Sequence, residues 1–434
     1  MQTASKKVIN GWAMYDWANS VYNLVITTTF FPIYFTSVTK SDATGNNVSF
    51  FGKSFVNSAL YDYAMAAAFI LAAILSPVLS SIADTRGNKK RYLMMFTWLG
   101  GLCCCALYNL KGPNPDVEYG VIFFILATLG YCGGLVFYNS YLPEIAAVED
   151  RDRISAKGFS MGYIGSVLLQ IIGFVLVSNG ESFGIDGQLA VRITFLLTGI
   201  WWIGFAQITF IRLPSSKGTI QEHKTNAITE AFQEMKKVYA QVKEMPVLKR
   251  FLRGFFFYSM GVQTVMMAAT IFGSEELHLR PTNLIIAVVA IQIVAVLGAW
   301  GMAKLSGRYG NLPVLMTVIV LWIGICLAGY RMQTETHFYM LAVAVGLVMG
   351  GVQSLSRSTY AKLMPETEDT ASFFSYYDVL EKLSVAIGLI TFGYIHELTG
   401  SMRNSVLALI LFFIIGLLWL FSAKRKQNSL TAKS

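Results

Sequence analysis

The sequence predicts an all-α membrane protein of twelve spans arranged as two six-helix bundles. Three observations lead there. The 434-residue chain is 54% hydrophobic and only 14% charged, with a mean hydropathy of +0.53, whereas about a quarter of a soluble globular chain is charged. Apolar runs of about 20 residues recur along its length, each able to cross a hydrocarbon core of about 30 Å. Finally, two landmarks repeat at nearly one offset. The loop Ser80–Lys90 has a degenerate copy at Ala303–Asn311, with Gly87 and Gly310 lying 223 positions apart, and Pro143-Glu144 returns 222 positions later as Pro365-Glu366. Such a repeat argues for duplicated halves of like orientation. Alternating strands of the barrel type are absent from the pattern.

Taken in order, the spans are expected at 11–37, 57–82, 92–110, 119–141, 159–179, 190–211, 250–273, 282–304, 312–330, 336–360, 373–396 and 404–423. Lys6 and Lys7 precede the first span without a small-residue cleavage site, so that span is expected to stay in the protein. Short loops join most spans. The exception, Leu213 to Met245, divides the chain into an N-terminal bundle (1–213), a linker (214–246) and a C-terminal bundle with a basic tail (247–434). Within the linker Ile228, Phe232, Met235, Tyr239 and Val242 recur at three- and four-residue steps between charged residues. That pattern fits an amphipathic helix on the inner membrane surface, serving either as a simple tie or as a regulatory element.

The formal charge of +9 does not point to nucleic acid. With both termini inside, the inner segments collect Lys6, Lys7, Arg86, Lys89, Lys90, Arg91, Arg151, Arg153, Lys157, the basic linker and the tail around Lys424. The outer segments hold Lys40, Lys53, Lys111, Arg192, Arg280, Arg331 and Arg403. This asymmetry places both termini in the cytoplasm and makes anionic lipid headgroups the partner of the surplus charge. Cys103, Cys104, Cys105, Cys132 and Cys326 all fall inside apolar runs and read as small packing residues. Consecutive helical residues splay around the axis, so a metal site at Cys103 to Cys105 is not expected.

The first span is the polar exception. At 3.6 residues per turn, Trp12, Asp16, Asn19, Asn23 and Thr27 fall on a narrow arc of one face. Ionisable side chains inside a span are costly and are functional by default. Asp16, Asp62, Arg357, Asp378, Glu381 and Lys382 all qualify. Asp378 and Lys382 are four apart and can pair, and Arg357 with Glu381 can pair between spans. That leaves Asp16 and Asp62, the latter nearer the outer surface. Asp16 then either receives a substrate ammonium or carries a coupling proton. Trp12 and Trp17 fit interfacial anchoring and substrate stacking equally well.

The loop Ser80–Lys90 resembles the signature of the major facilitator superfamily between its second and third helices. Asp84, Gly87, Lys89 and Lys90 match, while Ser80, Thr85 and Asn88 depart from it. More narrowly, Gly11 to Asn23 looks like the opening of the vacuole-effluxer family, relatives of the fungal autophagy-related vacuolar amino-acid permease. So do Tyr141 to Ile145 with Arg151 to Ser155, Gln353 to Ser358, and Phe373 to Asp378 with Glu381 and Lys382. The resemblance covers nearly the whole chain. It implies alternating-access transport, with amino-acid export as the family's best-known role. In the superfamily, spans one, four, seven and ten line the cavity. The expected substrate contacts are therefore Asp16, Asn19, Asn23, Tyr138, Asn139, Gln263, Gln353 and Arg357, the last gripping a carboxylate by its planar fork. Ion coupling is assigned to Asp16, Asp378 and Glu381. Asp84 is expected as an inner-gate element facing the N-terminus of span eleven, with Glu144 and Arg153 in similar inner-loop contacts.

An enzyme is the competing class, but H-E-x-x-H, G-x-S-x-G and the phosphate-binding G-x-x-x-x-G-K-[ST] are all missing. No cofactor or metal is called for. The expected partners are a small-molecule substrate, membrane lipid and a coupling proton or other ion, with the chain acting as a monomer in a bacterial inner membrane. A carrier of another small organic solute, drugs included, and a membrane substrate sensor stand as the alternatives.

Overall fold

The computed structural model describes residues 2–41, 45–86, 89–112, 116–215 and 227–432. Gly87 and Asn88 of the repeated loop, and the side chains of Ile228 and Phe232 in the linker, lie outside the described residues. The architecture is nearly all helical, with one small antiparallel hairpin. The elements are α1 (Lys6–Val38), β1 (Asn47–Phe50), β2 (Lys53–Val56), α2 (Asn57–Arg86), α3 (Lys89–Ala106), α4 (Val117–Ser140), α5 (Arg151–Ser178) and α6 (Gly187–Arg212). There follow α7 (Ala227–Glu244), α8 (Pro246–Glu275), α9 (Pro281–Tyr309), α10 (Asn311–Arg331), α11 (Glu335–Leu363), α12 (Thr370–Thr399) and α13 (Met402–Thr431). Among the described residues eleven helices are long and apolar enough to cross a membrane. The remaining expected span, 250–273, lies within α8.

Two compact units emerge from the packing. One, the N-unit, comprises Ser5–Tyr138 and Met161–Ala227; the other, the C-unit, comprises Met1–Ala4, Asn139–Ser160 and Ile228–Ser434. The segment at the α4–α5 junction, which chain order assigns to the N-terminal half, thus groups with the C-unit.

In hydrocarbon the hydrophobic effect does not drive helices together, so close packing and buried hydrogen bonds must. Inside the N-unit α1 lies along α6, where the Thr209 hydroxyl donates to the Gly11 carbonyl at 2.8 Å and the Trp201 indole donates to the Trp17 carbonyl at 3.1 Å. Glycines set the closest approaches: a Cβ on Gly130 of α4 would meet the backbone of Gly100 of α3 at 2.5 Å. Phe31 and Phe124 stack in parallel with centroids 4.6 Å apart. Meanwhile Ile70 and Ile74 of α2 stay exposed, as bilayer-facing side chains should.

The α1 helix is not uniform. Its middle, Tyr22–Phe30, is π-helical. The local sequence supports that wide register. Thr28 and Thr29 donate their hydroxyls to the carbonyls of Asn23 and Leu24, five residues back, at 2.8 Å each. Pro32 follows and has no N–H to give. In an i→i−5 register the carbonyl left without a backbone donor is that of Thr27, and the Tyr61 hydroxyl of α2 donates to it at 2.7 Å. The 3.6-residue arc expected from sequence is therefore broken midway. Trp12, Asp16, Asn19 and Thr27 are buried, whereas Asn23 is exposed.

The C-unit packs by the same rules. On α11, Gly346 and Gly350 form a G-x-x-x-G face against α9. A Cβ on Gly346 would meet the Ile291 carbonyl at 2.6 Å, and one on Gly350 would collide with the Ala295 carbonyl. From α9, Gly298 approaches the Leu347 carbonyl equally closely. Phe255 of α8 stacks on Tyr377 of α12 at 4.3 Å. The α7 helix buries Val238 and Val242, while Tyr239, expected on the apolar face, is exposed. Between Met235 and Val242 the buried position is Val238 in place of Tyr239, and Lys237 beside it reaches Asp369 at 2.9 Å.

Candidate functional site

In the N-unit the polar face of α1 meets the end of α4. The Tyr138 hydroxyl donates to Asp16 Oδ2 at 2.7 Å. Its ring is sandwiched between Trp12, at 4.5 Å, and Tyr15, at 4.9 Å. The Trp12 indole donates to the Tyr138 carbonyl at 3.0 Å, and Tyr15 shares a hydrogen bond with Thr97 at 3.1 Å. Trp12 and Tyr15 are wholly buried, so Trp12 is no interfacial anchor in this arrangement. Farther along the same helix, Asn19 Nδ2 and Thr27 Oγ1 are buried with no hydrogen-bond partner among the described residues. Buried donors and acceptors are rarely left so. Asp62 is exposed at the start of α2, as its position near the membrane surface implies.

In the C-unit the guanidinium of Arg357, on α11, is held on several sides. Its Nε donates to Ser155 Oγ at 2.9 Å, Nη2 to the Ser155 carbonyl at 2.8 Å and Nη1 to Asn139 Oδ1 at 3.2 Å. The cation also lies 4.1 Å over the Phe159 ring. Two residues expected at the site, Asn139 and Arg357, are thereby brought together. The expected pairing of Arg357 with Glu381 is not the arrangement found. Glu381 takes a hydrogen bond from Gln263 Nε2 at 3.1 Å, while the guanidinium is committed to α4 and α5. The i,i+4 pair is present, with Lys382 Nζ 2.5 Å from Asp378. Gln353 donates to the sulfur of Met266 at 3.7 Å.

A second polar cluster surrounds Asp152, at the start of α5. Its carboxylate accepts from Ser306 Oγ at 2.6 Å, Asn311 Nδ2 at 2.7 Å and Lys362 Nζ at 2.6 Å. Arg151, beside it, donates to the carbonyls of Ala361, Ala146 and Pro143. Glu144 accepts from the Thr370 hydroxyl at 2.6 Å, near the N-terminus of α12. Thr3 closes the cluster by donating to Asp150 at 2.6 Å. Of the residues expected to gate, Glu144 belongs to this network. Asp84 pairs in the N-unit with Lys89 at 3.0 Å, both side chains buried. Arg153 turns outward to Asp150 on an exposed edge. Sequence reasoning chose Arg153 and missed its neighbours. The signal was there: Arg151, Ser155 and Phe159 follow at four-residue steps on one helical face, with Asp152 beside them, and Arg153 lies off it.

Outside the spans, Lys237 of α7 bridges Glu234 and Asp369. Burial works against its charge, yet the hydrogen bonds to Asp369 and Glu234 hold its ammonium above the ordinary lysine value.

Against known proteins, a family model described as vacuole effluxer Atg22 like matches residues 4–433. A Bacillus subtilis protein named as an uncharacterized MFS-type transporter, YxiO, is 30% identical over 410 residues, covering 94% of this chain and 92% of its own. Autophagy-related protein 22 of Eremothecium gossypii is 25% identical over 482 residues, covering 98% and 92%. Among solved structures, the human organic anion transporter MFSD10 (TETRAN) superposes with a TM-score of 0.74 over 96% of this chain and 99% of its own, at 11% identity, a likeness of fold.

Proposed function

We propose that this chain, which belongs to the Atg22-like vacuole effluxer family of MFS-type transporters, exports small zwitterionic solutes, amino acids foremost, by an ion-coupled alternating-access cycle. Family membership sets it among carriers rather than enzymes. The basic residues crowd the segments that share a side with both termini, which supports a cytoplasmic placement of that side. Direction rests on the effluxer family itself.

One observation carries the substrate reading. Asp16 is buried in the N-unit, and the same helix offers Asn19 Nδ2 and Thr27 Oγ1 without hydrogen-bond partners among the described residues. A carboxylate of this kind takes either a substrate ammonium or a proton. The Tyr138 hydroxyl, at 2.7 Å, steadies the charged form until one arrives. The π-helical stretch that follows fits the reading, since such stretches gather at functional sites. In the C-unit, Arg357 donates to neutral acceptors, among them the side chains of Ser155 and Asn139 and the Ser155 carbonyl. A substrate carboxylate outcompetes neutral acceptors for a guanidinium because charge-assisted hydrogen bonds are about twice as strong. Gln263, Gln353 and Asn139 add neutral hydrogen bonds. Glu381 and Asp378 remain the second candidates for coupling. Release of the Asp152 and Arg151 contacts then frees the α4–α5 junction from α9, α10 and α11, and remaking them completes the cycle.

Counterflow in proteoliposomes tests this. Amino acids are expected to exchange label across the membrane, and Asp16→Asn is expected to abolish the pH dependence while sparing the fold. Exchange limited to other organic solutes would replace the substrate reading. Binding without exchange would make the protein a sensor.

A further inference from the structure

The β1–β2 hairpin joins α1 to α2 and does nothing in the reading above. Its register, Phe50 opposite Lys53, leaves a two-residue turn of Phe51 and Gly52. Both have positive φ, 47° and 76°, the signature of a type I′ turn. Asn, Asp or Gly normally fills the first of those positions, because a bulky side chain is strained in the left-handed region. Here the position holds a phenylalanine that is 70% exposed. Neither backbone preference nor burial explains it. The turn is held nonetheless, by a hydrogen bond from the Phe51 N–H to Glu118 at 2.9 Å.

Pairing sorts the hairpin into two faces. Val48, Phe50, Lys53 and Phe55 share one; Asn47, Ser49, Ser54 and Val56 share the other. The rings then run on in a chain. Phe50 lies 4.7 Å from Phe51 and 6.3 Å from Phe55, and Phe55 lies 6.2 Å from Tyr63 in the second turn of α2. Tyr63, 59% exposed, heads the stripe that continues through Ile70 and Ile74, the bilayer-facing side of α2. On the ring face Val48 is buried and Phe50 and Phe55 are half-buried, while Phe51 at the tip is exposed, so the row of rings links the exposed tip to the bilayer-facing side of α2.

We propose that this hairpin is a lipid anchor, with Phe50, Phe51 and Phe55 seated at the boundary of headgroups and acyl chains. Aromatic rings favour that depth, and Lys53 is placed to reach the phosphates from it. The strained Phe51 is retained because the residues that would relax the turn would give up the apolar contact.

The full-length chain in phosphatidylcholine–phosphatidylglycerol nanodiscs, spin-labelled at Phe51→Cys, tests the proposal. The native cysteines lie within helices, and the unsubstituted chain reports their background labelling. The label is expected to relax more with oxygen than with a water-soluble nickel complex, and a label at Ser49→Cys to do the reverse. A second variant removes doubt about the label itself: Phe51→Asn suits the turn, so a label at Phe50→Cys in that background should keep its mobility and lose its oxygen preference. Nickel preference at Phe51, or protection from both reagents as a protein contact would give, overturns the proposal.

Discussion

In the N-unit, Asp16 sits among aromatic rings and a phenol, with unsatisfied polar atoms farther along the same helix. In the C-unit, Asp152 gathers a serine, an amide and an ammonium, and Arg151 is spent on three carbonyls. Both are buried carboxylates near the ends of long helices, yet their surroundings differ in kind. Around Asp152 each hydrogen-bonding position is answered by a donor from α9, α10 or α11, so the charge holds elements together. Around Asp16 the neighbours are aromatic, with the Tyr138 hydroxyl donating at 2.7 Å, and Asn19 Nδ2 and Thr27 Oγ1 on the same helix have no hydrogen-bond partner among the described residues. Burial is common to both carboxylates; what surrounds each differs.

Substitutions can break or sharpen this contrast. The largest effect is expected from Asp152→Ala, which leaves Lys362 without its carboxylate. Removing one partner of a buried pair costs about 3–5 kcal/mol, to be seen as a fall in melting temperature in detergent. The paired change Asp152→Ala with Lys362→Met should recover most of it, and a failure to recover would remove Lys362 as the counter-charge. Next comes Gly350→Ala. Its new methyl meets the Ala295 backbone carbonyl, which cannot step aside, so about 1–3 kcal/mol of overpacking is expected. Gly134→Ala in the N-unit meets first the hydroxyl end of Tyr15 and should cost less; equal losses would contradict the idea that a side-chain tip yields more readily than a backbone carbonyl. Smaller still is Tyr138→Phe, which removes one hydrogen bond from Asp16. About 1 kcal/mol of stability is expected to go, read as a small fall in melting temperature in detergent. The smallest effect belongs to Lys237→Ala. Its pair with Asp369 is partly exposed, so about 0–1 kcal/mol is expected. That contribution is present at neutral pH and disappears only as alkaline conditions pass the raised lysine value.

Much of the fold was readable beforehand. The apolar runs and the repeated landmarks named the spans, because a helix in oil must advertise its length in composition. Asp16 and Arg357 stood out for a related reason: charge at such depth is too costly to be incidental. What escaped is geometric. The π-helical stretch depends on Thr28, Thr29 and Pro32 acting with Tyr61 from another helix, and no periodicity count within α1 can register a donor from α2. The choice of Arg153 over Arg151 and Asp152 failed likewise, since which of three adjacent charges turns inward depends on the helix's rotation. On α7 the expected Tyr239 gives way to Val238 as the buried residue, a choice between adjacent positions that a three- and four-residue spacing alone leaves open.

The phenol of Tyr61 carries one more implication. It covers the carbonyl that Pro32 strands. Sliding α2 along α1 by a single turn would remove that donor, at a cost of several kcal/mol wherever no other donor replaces it. The first two membrane helices are therefore tied to each other and are expected to travel as one piece.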